Sequence, residues 1–195
     1  MRFFIVTLMQ KSRHYKKNIP RFSLGEVYVA RTYESDMQQK LHRFKFVHNH
    51  VDTEYFRTLF RALIEESGIK NLSEYSVVYP PISLKDRIFR GPNHAKKLAI
   101  LFASIIGSKN VFCPFTKSFF AGHQSRRKKG ERKKVQSEYV FKKNQRAPLK
   151  NTEVILIDDI ITTGYTAHTL GRLLQRSGTK KTIGFFLSSK KVERN

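Results

Sequence analysis

Cysteine, tryptophan and acidic residues are scarce in this chain of 195 residues. The one cysteine, Cys113, excludes an intramolecular disulfide and a structural zinc site built from thiolates. Because Cys113 stands in an apolar run, we predict that it is a small buried residue rather than a nucleophile. The chain has no Trp but 16 Phe, so phenylalanine is predicted to dominate the core.

Long hydrophobic runs are also absent. The longest apolar stretch, residues 98–106, is about half as long as a membrane span. The apolar part of the N-terminus, residues 1–9, is short, and no small-residue cleavage site follows it. The sequence therefore predicts a soluble, cytoplasmic protein without a membrane span.

Acidic residues number 15 against 38 lysines and arginines, which gives a net charge of +23. This excess favours polyanionic partners, namely nucleic acid, phosphorylated substrates or an acidic membrane surface. The alternative is a generally basic proteome. The charge is densest at residues 125–134, which we predict to be a mobile loop or a helix that orders against a partner. Its basic residues are Arg126, Arg127, Lys128, Lys129, Arg132, Lys133 and Lys134.

Strand-like and helix-like apolar patterns alternate along most of the chain. Predicted strands lie at 2–8, 26–33, 75–79, 110–113, 153–157 and 182–187, and predicted helices at 36–46, 53–67, 93–106 and 166–176. The alternation predicts an α/β fold with a mostly parallel sheet flanked by helices. We predict a small N-terminal lobe at 1–50 and a core at 51–195, with a basic loop at about 121–137.

Residues 154–166 carry the most informative pattern, Val-Ile-Leu-Ile-Asp-Asp-Ile-Ile-Thr-Thr-Gly-Tyr-Thr. It predicts a buried strand that ends in the carboxylates Asp158 and Asp159, followed by a loop and a helix. Ligands of open parallel sheets bind beyond the carboxyl ends of strands, and a helix N-terminus offers N–H groups to phosphate. The pattern therefore predicts a site for a sugar diol and a phosphate, the alternative being an ordinary acidic turn. The candidate phosphate-binding residues are Thr162, Thr163, Gly164, Tyr165 and Thr166.

These thirteen residues resemble the phosphoribosyl-pyrophosphate (PRPP) signature of the type I phosphoribosyltransferases. Tyr165 is the least typical of them, because a small residue is usual there. The resemblance implies a type I phosphoribosyltransferase-like fold that binds PRPP with Mg²⁺ and transfers a ribosyl 5-phosphate while pyrophosphate leaves. Asp158 and Asp159 would hold the ribose and are the candidate catalytic residues and Mg²⁺ ligands. No zinc is expected.

A second candidate loop, residues 79–93, follows a short predicted strand and precedes a predicted helix. Its cations Lys85, Arg87 and Arg90 can neutralise pyrophosphate, although the segment can also be a solvated basic turn. The loop resembles that of the ComF-type competence proteins, which have Arg-Gly-Phe-Asn-Gln ahead of a helix. This chain has Arg-Gly-Pro-Asn-His at 90–94.

Other segments are similar to the same ComF branch. Residues 41–46, Leu-His-Arg-Phe-Lys-Phe, resemble the segment after its first helical turn, and Gln124 and Arg132 resemble a stretch between sheet strands. The four-cysteine zinc module of many members is absent, and Ala121 and Val135 replace a usual Thr and Asn. The resemblance implies a link to DNA uptake and to the competence machinery.

Two functions follow from these patterns. In the first, the chain is a phosphoribosyltransferase whose basic loop closes over PRPP or a related sugar phosphate, and whose N-terminal lobe contacts an unknown acceptor. In the second, it is a non-catalytic protein that binds single-stranded DNA through its excess of cations. Phe119, Phe120 and Tyr139 can then stack on bases, or they can be core residues.

The histidines give little support to a metal site. His48, His50 and Asp52 lie close in sequence, but they stand between two predicted helices without further ligands. We therefore predict no metal there. The remaining candidates are predicted to be surface or helix-face residues, and they are His94, His123 and His168.

Overall fold

A computed structural model of the chain describes residues 23–46, 50–82, 92–117 and 139–190. The strands are β1 Glu26–Thr32, β2 Ser76–Val78, β3 Val111–Phe112, β4 Phe115–Lys117, β5 Tyr139–Phe141, β6 Glu153–Ile161 and β7 Lys181–Ser189. The helices are α1 Ser35–Phe46, α2 His50–Ser67, α3 His94–Ile106 and α4 Tyr165–Arg176. The predicted strand at 2–8 and the basic run at 125–134 lie outside the described residues.

Five of these strands form one sheet in the order β1-β7-β6-β2-β3, and all neighbours within it are parallel. The longest strands, β6 and β7, lie in its interior, and their side chains are buried on both faces along most of their length. Such strands need helices on both sides of the sheet. The predicted α/β fold with a mostly parallel sheet is therefore confirmed.

The two faces of the sheet are covered by different elements. Apolar residues of α1, α2 and α3 pack on one face, where they form one cluster with Ile155 and Phe185. On the other face, α4 packs with the antiparallel pair β4-β5 against Leu156 and Phe186. Both faces of the sheet are thus covered by packed apolar side chains.

Phenylalanine supplies the bulkiest buried side chains, but leucine is more frequent: the described core contains 12 Leu and 7 Phe, so the prediction that phenylalanine dominates it is wrong. The fully buried phenylalanines are Phe56, Phe60, Phe102, Phe115, Phe185 and Phe186. Phe102 of α3 links α2 to the sheet, because its ring centroid lies 5.1 Å from Phe60 and 4.9 Å from Phe185. Phe185 in turn stacks on Tyr28 of β1 at 5.0 Å. Aromatic pairs at such distances stabilise beyond their buried area.

The topology places a crevice at the carboxyl ends of β6 and β2. These strands are neighbours, but the chain after β6 continues through α4 to β7 on one side. The chain after β2 continues through α3 to β3 on the other side. Where adjacent strands send their connections in opposite directions, a parallel sheet leaves room for a ligand.

Several details differ from the sequence-based expectations. Helix α2 begins at His50 rather than at 53, so His50 and Asp52 lie within it and not between two helices. β6 does not end before the acidic pair but continues to Ile161, which pairs with Ser189 of β7. The antiparallel pair β4-β5 was not expected, because each strand has only three residues. β1, from the predicted N-terminal lobe, pairs with β7 in the main sheet, and the lobe boundary at residue 50 stays a prediction.

Among the described helices, none has the length and apolar character to cross a membrane.

Candidate functional site

Two adjacent carboxylates near the end of β6 meet a lysine and a histidine from two other elements. Lys45, near the end of α1, places its Nζ 2.6 Å from Oδ2 of Asp159. His94, the first residue of α3, places its Nε2 3.6 Å from the same oxygen. Asp158 is half-buried beside this cluster, and its Oδ1 accepts a hydrogen bond from the Asp159 N–H at 2.9 Å. Among the described residues, Lys45 and His94 are thus the basic side chains that lie closest to the Asp159 carboxylate.

The two carboxyl groups have pKa values shifted in opposite directions. Burial and the neighbouring charge of Asp159 raise the pKa of Asp158 well above its ordinary value. Burial also acts to raise the pKa of Asp159, but Lys45 and His94 outweigh it, so that this pKa lies below its ordinary value. Adjacent acids with opposed shifts are typical of functional sites. Asp159 is thus the anion of the pair, and Asp158 is the more readily protonated member.

The loop after β6 ends at a left-handed glycine that begins helix α4. Gly164 adopts φ 74° and ψ 3°, a left-handed conformation that a side chain would strain, and it caps α4. Its carbonyl accepts the first helical hydrogen bond, from the His168 N–H at 2.8 Å. The N–H groups of Thr166 and Ala167 lie before this bond, so they have no partner within the helix. They are available to an anion, which the positive end of the helix dipole also favours.

The threonines of this loop are accessible from solvent. Thr162 and Thr163 are exposed, Thr166 is half-buried, and Tyr165 leaves 40% of its surface exposed. Thr163 Oγ1 accepts a long hydrogen bond from the Tyr165 N–H at 3.4 Å. The predicted phosphate-binding residues therefore form one continuous loop from the acidic pair to the first turn of α4.

The second predicted loop begins and ends at the same edge of the sheet. Asn93 caps α3 by accepting from the Lys96 N–H at 3.3 Å, and its Nδ2 donates to the carbonyl of Pro80 at 2.9 Å. This side chain ties the chain leaving β2 to the chain entering α3. Both ends of the loop thus lie beside β6. The predicted pyrophosphate-binding cations themselves lie outside the described residues, and they are Lys85, Arg87 and Arg90.

The sequence did not point to Lys45 and His94 as site residues. His94 was expected on a surface or helix face, but its position at the start of α3 turns it toward Asp159. The signal was present in the resemblance, because Lys45 lies within residues 41–46 and His94 replaces the Gln of the ComF pattern. His168 lies on α4, where Nδ1 is 3.4 Å from Ser23 Oγ. His123 lies outside the described residues.

The other sequence candidates are structural in the described residues. Asp52 is bound by Arg43, and within the described ranges no three His, Cys, Asp or Glu side chains are grouped to hold a metal ion. Tyr139 is buried and Lys117 lies over its ring at 5.9 Å, so it belongs to the core rather than to a stacking surface. Cys113 is only partly buried, and burial raises the pKa of its thiol, which disfavours a nucleophilic role.

The acidic pair fits a magnesium ion that arrives with a substrate. Asp158 and Asp159 offer carboxylate oxygens, the donors that Mg²⁺ prefers, but one of them is already paired with Lys45. Mg²⁺ commonly takes one or two carboxylates and completes its shell with water and substrate phosphates. The carboxylates of Asp158 and Asp159 match an Mg²⁺ ion that is bound partly by substrate phosphates, and not an ion held by protein ligands alone.

No family model matches this chain, and no curated protein matches it. Among solved structures, it aligns with a purine phosphoribosyltransferase from Pyrococcus horikoshii Ot3 at 12% identity and a TM-score of 0.39. The alignment covers 83% of this chain and 88% of that chain. We therefore infer function from the residues of the site.

Proposed function

We propose that this chain binds PRPP, or a related sugar phosphate, in the crevice between the carboxyl ends of β6 and β2. The observation that carries the proposal is the order of three features along the chain: the acidic pair of β6, the loop after it and the N-terminus of α4. An anionic Asp159 beside Asp158 is followed by a loop whose Gly164 opens a helix N-terminus. A sugar phosphate has the complementary parts, namely a diol that donates to carboxylates and an anionic group that accepts from N–H groups.

Each part of the ligand has its own partner in this proposal. Asp158 and Asp159 accept hydrogen bonds from the ribose hydroxyls. The 5-phosphate accepts from the first-turn N–H groups of α4 and from the hydroxyls of Thr162, Thr163 and Thr166. The segment between β2 and α3 supplies Lys85, Arg87 and Arg90 to the pyrophosphate. The pairing of β2 with β6 supports this division, because the segments that follow these neighbouring strands leave the sheet at the same end.

The chemistry that we propose is transfer of the ribosyl 5-phosphate to an acceptor, as in the ComF-type branch of the phosphoribosyltransferases. Mg²⁺ bound with PRPP would neutralise charge on the leaving pyrophosphate. The carboxylates of Asp158 and Asp159 would stabilise the positive charge that develops on the ribose ring. The basic loop with Arg126 and Lys134 would close over the site and exclude water. The acceptor would be contacted by the N-terminal lobe, and the link to competence rests on the ComF resemblance.

Ligand-dependent melting tests the binding step. PRPP with Mg²⁺ should raise the melting temperature, and ribose 5-phosphate and pyrophosphate separately should raise it less, since each fills half of the site. The double variant Asp158→Asn/Asp159→Asn should lose the PRPP effect, while Asp36→Asn, an exposed carboxylate on α1, should keep it. Equal melting with and without PRPP in the unaltered chain would refute the proposal. Release of pyrophosphate in the presence of candidate acceptors then tests turnover.

The net charge of +23 favours a second function, binding of single-stranded DNA. Cations that neutralise phosphates release counterions, so the affinity should fall steeply as salt rises. Replacing Arg126, Arg127, Lys128 and Lys129 with Gln should weaken binding more than replacing four exposed lysines elsewhere. Those matched control positions are Lys109, Lys143, Lys150 and Lys180. Weak binding that does not change with salt would exclude this function.

A further inference from the structure

The carboxylate that faces the sugar site is already paired with a cation of the chain. Lys45 Nζ lies 2.6 Å from Asp159 Oδ2, and the two side chains are only 22% and 11% exposed. At this separation and burial the pair is much less screened than a surface ion pair. Among the described residues, the other side chains that face it are Asp158 and His94. Any ligand of Asp159 must therefore compete with Lys45 or accommodate it.

The position of Lys45 is fixed by neighbouring structure. It stands in the last turn of α1, where the helix dipole favours a cation. Leu41 and Phe44 bury the inner face of α1 against the sheet cluster. Arg43, in the same turn, is anchored to Asp52 of α2. The packing of α1 and the Arg43–Asp52 pair therefore fix the backbone from which the Lys45 side chain reaches Asp159.

We propose that Lys45 determines which ligands the acidic pair accepts: it excludes a bare divalent cation and reserves the pair for an anionic sugar phosphate that brings its own metal. This inference rests on the proposed function and adds its selectivity. Two adjacent carboxylates without a cation would attract Mg²⁺ or Mn²⁺ directly. Because the Lys45 ammonium group lies 2.6 Å from the Asp159 carboxylate, a bare metal ion that binds there is repelled by a like charge. The phosphate groups of a sugar phosphate are instead attracted by the same ammonium group.

Manganese titration without any sugar phosphate tests the selectivity. Free Mn²⁺ is followed by electron paramagnetic resonance in the unaltered chain and in Lys45→Met. Lys45→Arg keeps the charge, and Lys181→Met is the matched control. Lys181 also pairs with a carboxylate, because its Nζ lies 3.0 Å from Oε1 of Glu26. This pair lies at the start of β7, at the opposite end of the strands from the acidic pair.

Loss of Lys45 should strengthen Mn²⁺ binding by about tenfold or more, because one opposing unit charge has been removed. Lys45→Arg and Lys181→Met should bind Mn²⁺ as weakly as the unaltered chain. Adding Asp159→Asn to Lys45→Met should abolish the gained site. Lys45→Gln is measured in parallel in case Lys45→Met does not fold.

Two results would overturn the inference. One is equal Mn²⁺ affinity in a folded Lys45 variant and in the unaltered chain. The other is tight uptake of Mn²⁺ by the unaltered chain, which needs no variant to be observed. Failure of PRPP to bind would refute the proposed function instead, and the metal titration separates the two outcomes because it contains no sugar phosphate.

Discussion

Arg43 holds Asp52 through two hydrogen bonds, from Nε to Oδ2 at 2.9 Å and from Nη2 to Oδ1 at 2.8 Å. The carboxylate of Asp52 is 1% exposed, whereas the guanidinium is partly open to solvent. Such bidentate pairs fix geometry as well as contribute energy. This pair joins the end of α1 to the start of α2. It thereby orients the turn from which Lys45 reaches the acidic pair.

Asp52→Ala should lower the free energy of unfolding by about 2 kcal/mol, since it removes two charged hydrogen bonds and leaves the guanidinium without its partner. Urea unfolding monitored by circular dichroism measures the change. Asp36→Ala, which removes the exposed ion pair with Lys40 on α1, should change stability by less than about 0.5 kcal/mol. Equal effects of the two variants would contradict the role assigned to Asp52.

Ionisation of Asp158 should lower the free energy of unfolding as pH rises above about 4, the ordinary pKa of Asp. Its pKa is raised in the folded chain by burial and by Asp159, so the folded state binds this proton more tightly than the unfolded state. That contribution is complete below the ordinary pKa, about 4, and is lost as pH rises through the raised value. The lowered pKa of Asp159 acts in the opposite sense, but at pH values below this window.

Asp158→Asn removes the titration, so the variant should be more stable than the unaltered chain at neutral pH, by on the order of 1 kcal/mol. Urea unfolding at a series of pH values between about 4 and 8 measures the difference. The difference in free energy of unfolding between Asp158→Asn and the unaltered chain should grow with pH. A constant difference across this range would show that ionisation of Asp158 does not destabilise the folded state.

Gly164→Ala should weaken PRPP binding by about tenfold or more, because a methyl group strains the left-handed turn that presents N–H groups to the phosphate in the proposed site. Gly68→Ala is the matched control. Gly68 also has a left-handed φ, 62°, but it ends α2, and a Cβ there would meet nothing within 4 Å. Both variants should lose about 1 kcal/mol of stability, and only Gly164→Ala should lose affinity. Calorimetric titration of PRPP into both variants measures the affinity, and a loss in Gly164→Ala alone separates an effect at the site from backbone strain in general.

Local patterns were sufficient to predict most of the fold. Predicted and observed bounds of α1, α3 and α4 agree within about two residues, since apolar spacing, the Asn93 cap and the glycines at the helix ends are local signals. β6 was predicted to end at 157, because its two acids were interpreted as the end of the strand. They lie within it, since pairing with β7 continues to Ile161.

The partners of the acidic pair were harder to predict. The carboxylates and the phosphate loop are adjacent in sequence, so one motif predicts both. Lys45 and His94 reach Asp159 only because α1 and α3 pack on the same face of the sheet. Nothing in their own neighbourhoods specifies that contact. The short strands β4 and β5 pair across a long stretch of sequence, which no local period encodes.

Calorimetric titration of PRPP with Mg²⁺ into the unaltered chain and into Asp159→Asn tests the central claim most directly. We predict saturable one-to-one binding to the unaltered chain and a loss of affinity of about tenfold or more in Asp159→Asn, because a charged acceptor of the ribose hydroxyls is lost. Asp36→Asn should bind as the unaltered chain does. No binding to the unaltered chain, or unchanged binding to Asp159→Asn, would contradict the assignment of this crevice as a PRPP site.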